Sequence, residues 1–517
     1  MDATARSRDS GSAARSRDLD SVSQPRDLDA ASRSPDLLLP PLAAGPGRRV
    51  RLEGALRDAV RSGRLSAGST LPSSRALAQR LGVSRRLVVE AYGQLVAEGY
   101  LVARRGAGTR VAERAAATRP AAPRPVPPAA RPRWDLFPGH PDLSLFPRTA
   151  WLRAMRDTLA ELPAMRLGYG WPGGARELRE SIAERLCRVR GAATDPEHVV
   201  VFSGYLHGLH VLGAVLRGRG VARVAMEDPG FPLCADVLRS VGLEVAPIPV
   251  DEEGLSVSAL AGAHVQAVVV TPAHAFPTGV VLSPERRTQL ATWAQACDAL
   301  VIEDDYDGEF RYDREPVGAL QGLAPERVVL AGSLSKTLAP AVRLGWLALP
   351  EQLSGPVMGA RALSGDTAGL GQLAAARLMS TGAYDRHLRS ARLAYRRKRE
   401  ALLAALDEQL PGVRVHGVAA GLHVVLELPP GIAEHAVAAQ AAQRGLRVYP
   451  LGRFCARAQP PPSLVIGYAS VGEGALRDAV AVLADAVAAA RVADSAGPPR
   501  VPRPRDVAPA SALADQS

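Results

Sequence analysis

The stretch SLSKTLAP, residues 333–340, decides how the largest part of the chain is interpreted. The apolar run RVVLAG, residues 327–332, precedes it and predicts a strand that ends there. Its Lys336 is one of two lysines among 63 Lys and Arg residues, the other being Lys398. Arg stays protonated, whereas a desolvated Lys can lose its proton and attack a carbonyl. Lys336 is therefore a candidate for amine chemistry, whereas Lys398, in the charged run YRRKRE, is expected on a solvated helical surface.

Length and composition exclude several classes of protein. A chain of 517 residues, 47% hydrophobic and 22% charged, predicts at least two domains with ample core. The four cysteines are far apart and form no CxxC pair, so neither a disulfide framework nor a metal site is expected. The N-terminus has no apolar signal segment and no apolar run could span a bilayer, so we expect a cytoplasmic protein without a membrane partner. A formal net charge of +11 indicates a polyanionic partner.

Changes in composition divide the chain into five segments. Residues 1–46, rich in Ser, Arg and Asp, and residues 492–517, rich in Pro and Ala, are predicted to be disordered tails. Residues 47–112 carry helical patterns, and residues 113–133 form a linker whose prolines favour an extended spacer. In residues 134–491, runs such as HVVVF, VQAVVV and LVIED alternate with helical stretches, which predicts an α/β domain with a parallel sheet covered on both faces.

The pattern LPSSRALAQRLGVSRR, which begins at residue 71, predicts two helices around a short turn. Ser73 or Ser74 can cap the first helix, Gly82 ends it, and Ser84 caps the second. This is the helix-turn-helix arrangement, in which the N-terminal end of the second helix meets bases or phosphates. That end of the helix carries two consecutive arginines, so the segment is predicted to bind operator DNA.

A wing is predicted to follow, because YLVARRGAGTRVA has the pattern of a β-hairpin with a glycine-rich tip. Arginines outnumber acids between residues 48 and 110, as DNA binding requires. The alternative is a helical protein-interaction domain with a solvated basic face. The predicted DNA contacts are Ser73, Arg75, Ser84, Arg85, Arg86, Arg105, Gly106 and Thr109.

The residues around Lys336 predict a phosphate site at a sheet edge. Lys336 follows a strand, and ligands of open α/β sheets bind at the carboxyl ends of the strands. Ser333 and Ser335 flank it with hydroxyls suited to a phosphate, and Arg343 can form a bidentate pair with that phosphate. The segment therefore combines a reactive amine with a set of anion-binding side chains.

A second strand predicts an acid and a phenol at the same edge. In ALVIEDDYDGEF, Asp304 and Tyr306 fall on one face of the strand, whereas Asp305 faces away. A buried carboxylate can hold a pyridine nitrogen protonated, and a neighbouring phenol can hydrogen-bond to a ring hydroxyl. A Lys Schiff base, an acid at the ring nitrogen and a phosphate cradle are what pyridoxal phosphate requires.

Two further motifs support this cofactor. FSGYLHGLHVL predicts a strand that enters a helix through Ser203, Gly204 and Tyr205, where N-terminal amides can bind phosphate. EDPGFP offers Phe231 as an aromatic ring that stacks on the cofactor. A generic nucleotide site is the weaker alternative, because no P-loop or GxGxxG stands at a strand–helix turn.

These motifs together resemble the MocR/GabR family of regulators, in which a GntR-type winged helix is fused to a fold-type I aminotransferase domain. LPSSRALAQRLGVSR, EGYL and GAGT are similar to the first part, and LGYGWPGGARELRESIAERL, SGYLHGL, EDPGFP, TPAHAFPTG, IEDDYDGEF and SLSKTLAPAVRLGW to the second. The match covers roughly residues 50–490. It implies a mostly parallel central sheet, a small C-terminal α+β subdomain and pyridoxal 5'-phosphate as cofactor.

The resemblance also implies a role for each residue of the cofactor site. Lys336 takes the place of the lysine that forms the internal aldimine, and Asp304 that of the acid at the pyridine nitrogen. Tyr306 lies near the ring hydroxyl and Phe231 stacks on the ring. Arg343 and the two serines before Lys336 bind the phosphate. The Tyr of GYG, Tyr169, reaches the phosphate of a partner subunit, which implies a homodimer.

The chain departs from the family where amino acids are recognised. Leu233 stands where GABA-responsive members have Arg, Phe276 stands where aminotransferases have Asn, and PPSLVIGYAS lacks the usual carboxylate-binding Arg. We favour a transcriptional regulator that senses a small amine or amino acid through aldimine exchange at Lys336. The alternatives are a working aminotransferase with an accessory DNA-binding domain, and a DNA-binding protein with an inert dimerisation scaffold. Little or no transamination is expected.

Overall fold

A computed structural model of the chain describes residues 47–104, 108–113, 132–168, 171–313, 317–365 and 367–495, with side chains to residue 491. The chain divides into two compact units, with the boundary between residues 129 and 130. The predicted tail 1–46 and most of the linker 113–133 lie outside the described residues. The same holds for Arg105, Gly106 and Tyr169.

The N-terminal unit is a winged helix, as predicted. Its elements are α1 (Arg48–Arg61), α2 (Ser74–Leu81), α3 (Arg85–Ala97), β1 (Leu101–Arg104) and β2 (Gly108–Val111). The two strands pair antiparallel, with Leu101 opposite Val111 and Arg104 opposite Gly108. The helices bury one apolar face each, on which Leu56, Leu77, Val88 and Leu95 are almost fully buried. These contacts form the core of the unit.

Side-chain caps fix the ends of the two central helices. Of the two candidate serines, Ser73 caps α2: its Oγ accepts a hydrogen bond from the Ala76 amide at 3.2 Å. Ser84 caps α3 in the same way, with the Leu87 amide at 3.2 Å. Gly82 ends α2 in the left-handed conformation, which glycine adopts without steric cost. The turn between the helices is thus set by local sequence.

The large unit contains helices and strands in alternation along most of its length. The helices are α4 (Arg148–Glu161), α5 (Arg176–Arg190), α6 (Tyr205–Gly218), α7 (Pro232–Ser240), α8 (Val257–Ala263), α9 (Pro284–Ala296), α10 (Glu351–Ser364), α11 (Gly369–Ser380), α12 (Ala383–Gln409), α13 (Glu434–Gln443) and α14 (Glu473–Ser495). The strands are β3 (Trp134–Asp135), β4 (Val199–Phe202), β5 (Arg223–Asp228), β6 (Glu244–Asp251), β7 (Gly254–Leu255), β8 (Ala267–Val270), β9 (Leu300–Asp305), β10 (Val328–Ser333), β11 (Gly345–Ala348), β12 (Arg414–His416), β13 (His423–Glu427), β14 (Leu446–Arg447), β15 (Tyr449–Pro450) and β16 (Ser463–Gly467). Helix α14 runs past residue 491, where the sequence places the start of the C-terminal tail.

The central sheet is mostly parallel, which confirms the predicted fold class. Its strand order is β4-β11-β10-β9-β8-β5-β6-β7. The pairs from β10 through β9, β8 and β5 to β6 are parallel, whereas β11 is antiparallel to β10 and β4. The apolar runs used for prediction form β4, β8, β9 and β10. Parallel strands end at one edge of the sheet, and ligands bind there.

A smaller sheet forms the C-terminal subdomain together with α12, α13 and α14. Its strand order is β12-β13-β16-β15, and neighbouring strands pair antiparallel. Its apolar side chains join the core that β4 and α5 form in the large unit. No helix among the described residues is both long enough and apolar enough to cross a membrane.

The expectation that Lys398 is solvated is wrong. Lys398 is 5% exposed, and its Nζ donates to Asp142 Oδ2 and to the Ala469 carbonyl, each at 2.6 Å. Tyr395 and Leu402, about one helical turn away on either side, are buried on the same face of α12. The charges of YRRKRE conceal this helical spacing, because Lys398 is the one charged position of the run that is buried.

Candidate functional site

A cavity of about 200 Å³ opens where the strands of the central sheet end. Nine of the predicted cofactor residues line it: Ser333, Ser335, Lys336, Asp304, Tyr306, Arg343, Gly204, Tyr205 and Phe231. Ser203 precedes Gly204 but is not a lining residue, and Tyr169 lies outside the described residues. The fold therefore brings most of the predicted cofactor set together at one place.

The amine of Lys336 faces this cavity without a fixed partner. Within the described part of the chain, no hydrogen bond or ion pair holds its Nζ. Burial lowers the pKa of Lys336, and the carboxylates of Asp304 and Asp307 oppose that effect. Gly139 lies beside it, and a Cβ added there would come into van der Waals contact with Nζ at 3.7 Å. A desolvated and unpaired amine of this kind is suited to attack a carbonyl.

Asp304 and Asp305 point in opposite directions, as the strand alternation predicts. Asp304 lines the cavity, where burial raises its pKa to about 8 although a hydrogen bond from Tyr205 acts in the other direction. Asp305 instead accepts two hydrogen bonds of 2.9 Å from the buried guanidinium of Arg190. A positively charged ring nitrogen beside Asp304 would favour its ionised form.

The opposite end of the cavity is suited to a phosphate. Gly204 precedes α6 with a positive φ of 101°, and a Cβ added there would lie 3.7 Å from the Arg343 guanidinium carbon. Arg343 itself has a φ of 51°, a strained conformation typical of functional sites. The Ser203 hydroxyl lies 3.2 Å from Thr367 Oγ1, and its amide donates to His207 Nδ1. The guanidinium and the free amides of α6 thus converge beside a glycine that leaves room for an anion.

These groups fit pyridoxal phosphate. The cavity offers an unpaired amine for the aldehyde, a carboxyl for the ring nitrogen, and a phenol for the ring oxygen. It also offers a guanidinium with hydroxyls and a helix N-terminus for the phosphate. The glycines at both ends keep open the space that side chains would otherwise fill. The residues present therefore match the cofactor chemically, group by group.

The lining residues Gly139 and His140 escaped the sequence analysis. Gly139 and His140, from the segment before α4, close the wall next to Lys336. Burial lowers the pKa of His140, as does the charge of Lys336. Phe276 packs edge-to-face on Phe231 and on Phe454, with ring centroids 5.5 and 5.3 Å apart. Only the fold reveals these neighbours, because no periodic pattern connects such distant segments.

The predicted DNA contacts in the N-terminal unit lie at its surface wherever they are described. Arg75, Arg85 and Arg86 are exposed on α2 and α3. Arg85 Nε lies 3.5 Å from the Ser74 hydroxyl, whereas Arg86 Nε donates to Glu90 at 2.8 Å. The N-terminus of α3, with its cap and two arginines, is a site where a phosphate can bind. Thr109 lies half-buried on β2, and the two capping serines remain exposed.

Comparisons with known proteins agree with this architecture. The family described as "Bacterial regulatory proteins, gntR family" matches residues 48–111, and "Aminotransferase class I and II" matches residues 139–483. The HTH-type pyridoxine biosynthesis transcriptional regulator PdxR of Corynebacterium glutamicum is 34% identical over 84% of this chain and 95% of its own length. The probable rhizopine catabolism regulatory protein MocR of Rhizobium meliloti is 31% identical over 82% and 90% of the two chains.

A solved structure supports the aminotransferase fold of the large unit. The α-aminoadipate aminotransferase LysN of Thermus thermophilus, complexed with N-(5'-phosphopyridoxyl)-L-leucine, is 26% identical, with a TM-score of 0.62 over 69% of this chain and 92% of its own. Fold and site thus define a winged-helix protein with a fold-type I, pyridoxal phosphate-binding domain. The chain belongs to the MocR-type GntR family of transcriptional regulators, and pyridoxal phosphate is its cofactor.

Proposed function

We propose that this regulator senses a small amine or amino acid that competes with Lys336 for the cofactor aldehyde. The observation that carries the proposal is the unpaired Lys336 amine, which shares a cavity with Asp304 and Arg343. Bound pyridoxal phosphate supplies an aldehyde that links covalently to amines. Arg343 and the serines hold its phosphate, so that an effector can displace the lysine without loss of the cofactor. DNA regulation places the protein in the cytoplasm.

Attachment of the cofactor to Lys336 is tested by chemical trapping. Protein loaded with pyridoxal phosphate is reduced with borohydride, digested, and searched by mass spectrometry for the modified lysine. We expect the label on Lys336 and none on Lys398, because the latter donates both to Asp142 and to a carbonyl. Label on Lys398, or no label after loading, would contradict the proposal.

The second part of the proposal is a homodimer with two winged helices on operator DNA. Large apolar side chains are exposed together in a short segment around α4, namely Leu152, Leu159, Met165 and Leu167. A monomer rarely leaves so much apolar surface open, and a partner subunit would cover it. Two protomers then present two recognition helices to two half-sites. Light scattering of the loaded protein at micromolar concentration should give the mass of a dimer.

A second candidate is that the cofactor itself is the sensed ligand. Apart from Lys336 and Arg343, no Lys or Arg is among the described residues that line the cavity, so an effector carboxylate would find no further Lys or Arg there. One relative is named as a regulator of pyridoxine biosynthesis. Operator affinity of cofactor-free and loaded protein, measured without any amine, separates the two ideas. A change on loading alone supports cofactor sensing, whereas a change only after amine addition supports amine sensing.

Neither the amine-sensing hypothesis nor the cofactor-sensing hypothesis requires transamination. Leu233 and Phe276 line the cavity and Phe454 packs on Phe276, so this apolar wall offers no charge to an amino-acid carboxylate. We therefore propose slow or absent turnover, measured as keto product formed per bound cofactor. Rapid turnover together with unchanged operator affinity would favour an aminotransferase instead.

A further inference from the structure

Tyr306 lines the cavity. It also contacts two buried polar side chains, those of His274 and Asp307, which do not line it. His274 Nδ1 lies 3.1 Å from the Tyr306 hydroxyl and 2.9 Å from Asp307 Oδ2. His274 and Asp307 are each 2% exposed. His274 comes from the loop after β8 and Asp307 from the segment after β9. The sequence analysis assigned neither residue a role.

A glycine of the C-terminal subdomain fixes this pair in place. Gly421 has a φ of 69°, and an added Cβ would overlap the His274 ring and the Asp307 carboxylate. Its carbonyl accepts hydrogen bonds of 2.6 Å from the hydroxyls of Tyr312 and Tyr468. The backbone of Gly421 therefore packs directly on the pair. A movement of either side chain would therefore disturb its contact with Gly421 in the C-terminal subdomain.

The hydrogen-bond inventory of these groups determines where the phenol can donate. A carboxylate only accepts hydrogen bonds, so the short contact with Asp307 places a hydrogen on His274 Nδ1. That same N–H then faces the oxygen of Tyr306, which accepts from it. A hydroxyl that accepts from one side keeps its own hydrogen for another partner. The Tyr306 hydrogen is thus left for an acceptor other than His274, which is either the Asp307 carboxylate, with which this hydroxyl also interacts, or an oxygen in the cavity.

We propose that His274, oriented by Asp307, is a positioning residue that turns the Tyr306 hydroxyl into the cavity, where it donates to the bound cofactor. The inference rests on the proposed function, because it requires the cofactor beside Lys336. It assigns a task to two residues that do not line the cavity. It also connects the cofactor site to Gly421 and therefore to the C-terminal subdomain.

The charged surroundings keep the phenol in its protonated form. Burial raises the pKa of Tyr306, and so do the carboxylates of Asp307, Asp304 and Glu227. Burial lowers the pKa of His423 to about 3, and its Nε2 donates to the Pro277 carbonyl at 3.0 Å. The titratable groups that face Tyr306 and Lys336 are Asp304, Asp307, Glu227, His140, His274 and His423. A neutral phenol amid these groups is a donor at physiological pH.

A metal ion is the competing interpretation of the same residues. His274, Asp307 and His423 each offer one possible ligand atom, and these atoms lie within 4.8 Å of one another. His274 Nε2 and His423 Nδ1 are buried without hydrogen-bond partners. However, the contacts of His274 Nδ1 with Asp307 and of His423 Nε2 with Pro277 already orient both rings. The experiment therefore includes a metal measurement.

The test is a pH titration of the cofactor absorbance band in the full-length loaded protein. An oxygen that loses a hydrogen-bond donor holds more negative charge and retains a nearby proton more tightly. His274→Asn should thus raise the titration midpoint by about one pH unit, a tenfold change in proton affinity that corresponds to one lost hydrogen bond. Tyr306→Phe should shift it in the same direction. The double variant should shift it no further than Tyr306→Phe alone, because both changes act through one hydroxyl.

His423→Asn is the matched control, because His423 is equally buried next to His274 but makes no hydrogen bond to Tyr306. Its midpoint should remain at the wild-type value. An unchanged midpoint in His274→Asn, or an equal shift in His423→Asn, would overturn the inference. Stoichiometric metal in wild type that is lost in His274→Asn would also overturn it. A wild-type protein that shows no band after loading would contradict both the proposed function and this inference.

Discussion

The two lysines of this chain occupy opposite environments in the same unit. Lys398 donates to Asp142 and to a backbone carbonyl, and these two hydrogen bonds hold its ammonium group in place. Lys336 faces a cavity with no such partner in the described structure, although two carboxylates lie near enough to influence its pKa. The acids differ as well: the pKa of Asp142 is lowered, whereas that of Asp304 is raised. A lysine paired by direct hydrogen bonds stabilises the fold, and one left unpaired is available for chemistry.

The largest expected effect is at Lys336. Lys336→Ala should abolish the borohydride-trapped link to the cofactor completely, and Lys336→Arg should not restore it, because a guanidinium does not lose its proton in proteins. The measurement is absorbance after loading, followed by reduction and mass spectrometry. Retention of the trapped link in either variant would remove the distinction between the two lysines.

Lys398→Met should have no effect on cofactor trapping but a large one on stability. The change leaves Asp142 mostly buried and without its cation, which costs about 3 kcal/mol in free energy of unfolding. Thermal or urea unfolding of the loaded protein measures the loss. Replacing Asp142 by Asn in the same chain should recover part of it. If Lys398→Met were as stable as wild type, the ion pair would be merely incidental.

The acids near the two lysines predict opposite dependences on pH. Burial opposes ionisation of Asp142, but the hydrogen bonds from Lys398 and Ser144 hold its pKa below the ordinary value. Its contribution to stability is therefore present at neutral pH and lost as the pH falls through the lowered pKa.

In the cofactor-free protein, Asp304 should give stability the opposite dependence on pH. Its pKa rises to about 8 on folding, so the folded state holds a proton that the unfolded chain releases near pH 4. Stability should therefore fall as the pH rises from about 4 to about 8. Asp304→Asn removes this dependence and should be more stable than cofactor-free wild type by several kcal/mol at pH 8. Parallel stability curves for the two proteins would contradict the assignment.

The contrast between paired and unpaired cations recurs on a smaller scale in the N-terminal unit. Arg86 donates to Glu90 within α3, whereas Arg85 has only a long contact to Ser74. Arg85→Ala should weaken operator binding by about 1–2 kcal/mol, with relaxed specificity if a base contact is lost. Arg86→Ala should cost less, since its exposed ion pair competes with DNA. Binding titrations at two salt concentrations distinguish base contacts from phosphate contacts.

The sequence predicted the fold and the centre of the site because their signals are local. Strand runs and the order of motifs singled out Lys336, Asp304 and Arg343, and the fold brings all three to one cavity. The burial of Lys398 was missed because its partners are Asp142 and Ala469, which are distant in the chain. Gly139 and His140 were missed for the same reason, because only long-range packing brings them beside Lys336. Pairings between distant segments carry no periodic signal.

His274 and Asp307 show a second limit of sequence reasoning. Asp307 stands next to Tyr306 in a quoted motif, but alternation along a strand says nothing about residues beyond the strand end. Their contact depends on Gly421, more than a hundred residues later, which packs against both. Only the folded chain shows that the Tyr306 hydroxyl, which is predicted to contact the cofactor, also contacts His274.

The most direct test of the central claim is a screen of amines, amino acids and vitamin B6 compounds with the full-length protein. Each compound is scored for a shift in cofactor absorbance and for a change in operator affinity, in wild type and in Lys336→Ala. We predict that at least one compound shifts the band and changes wild-type affinity several-fold to about a hundredfold, as allosteric coupling typically does. The same compound should leave operator affinity of Lys336→Ala unchanged. Equal responses of the two proteins, or rapid turnover to a keto product while operator binding stays constant, would contradict the account.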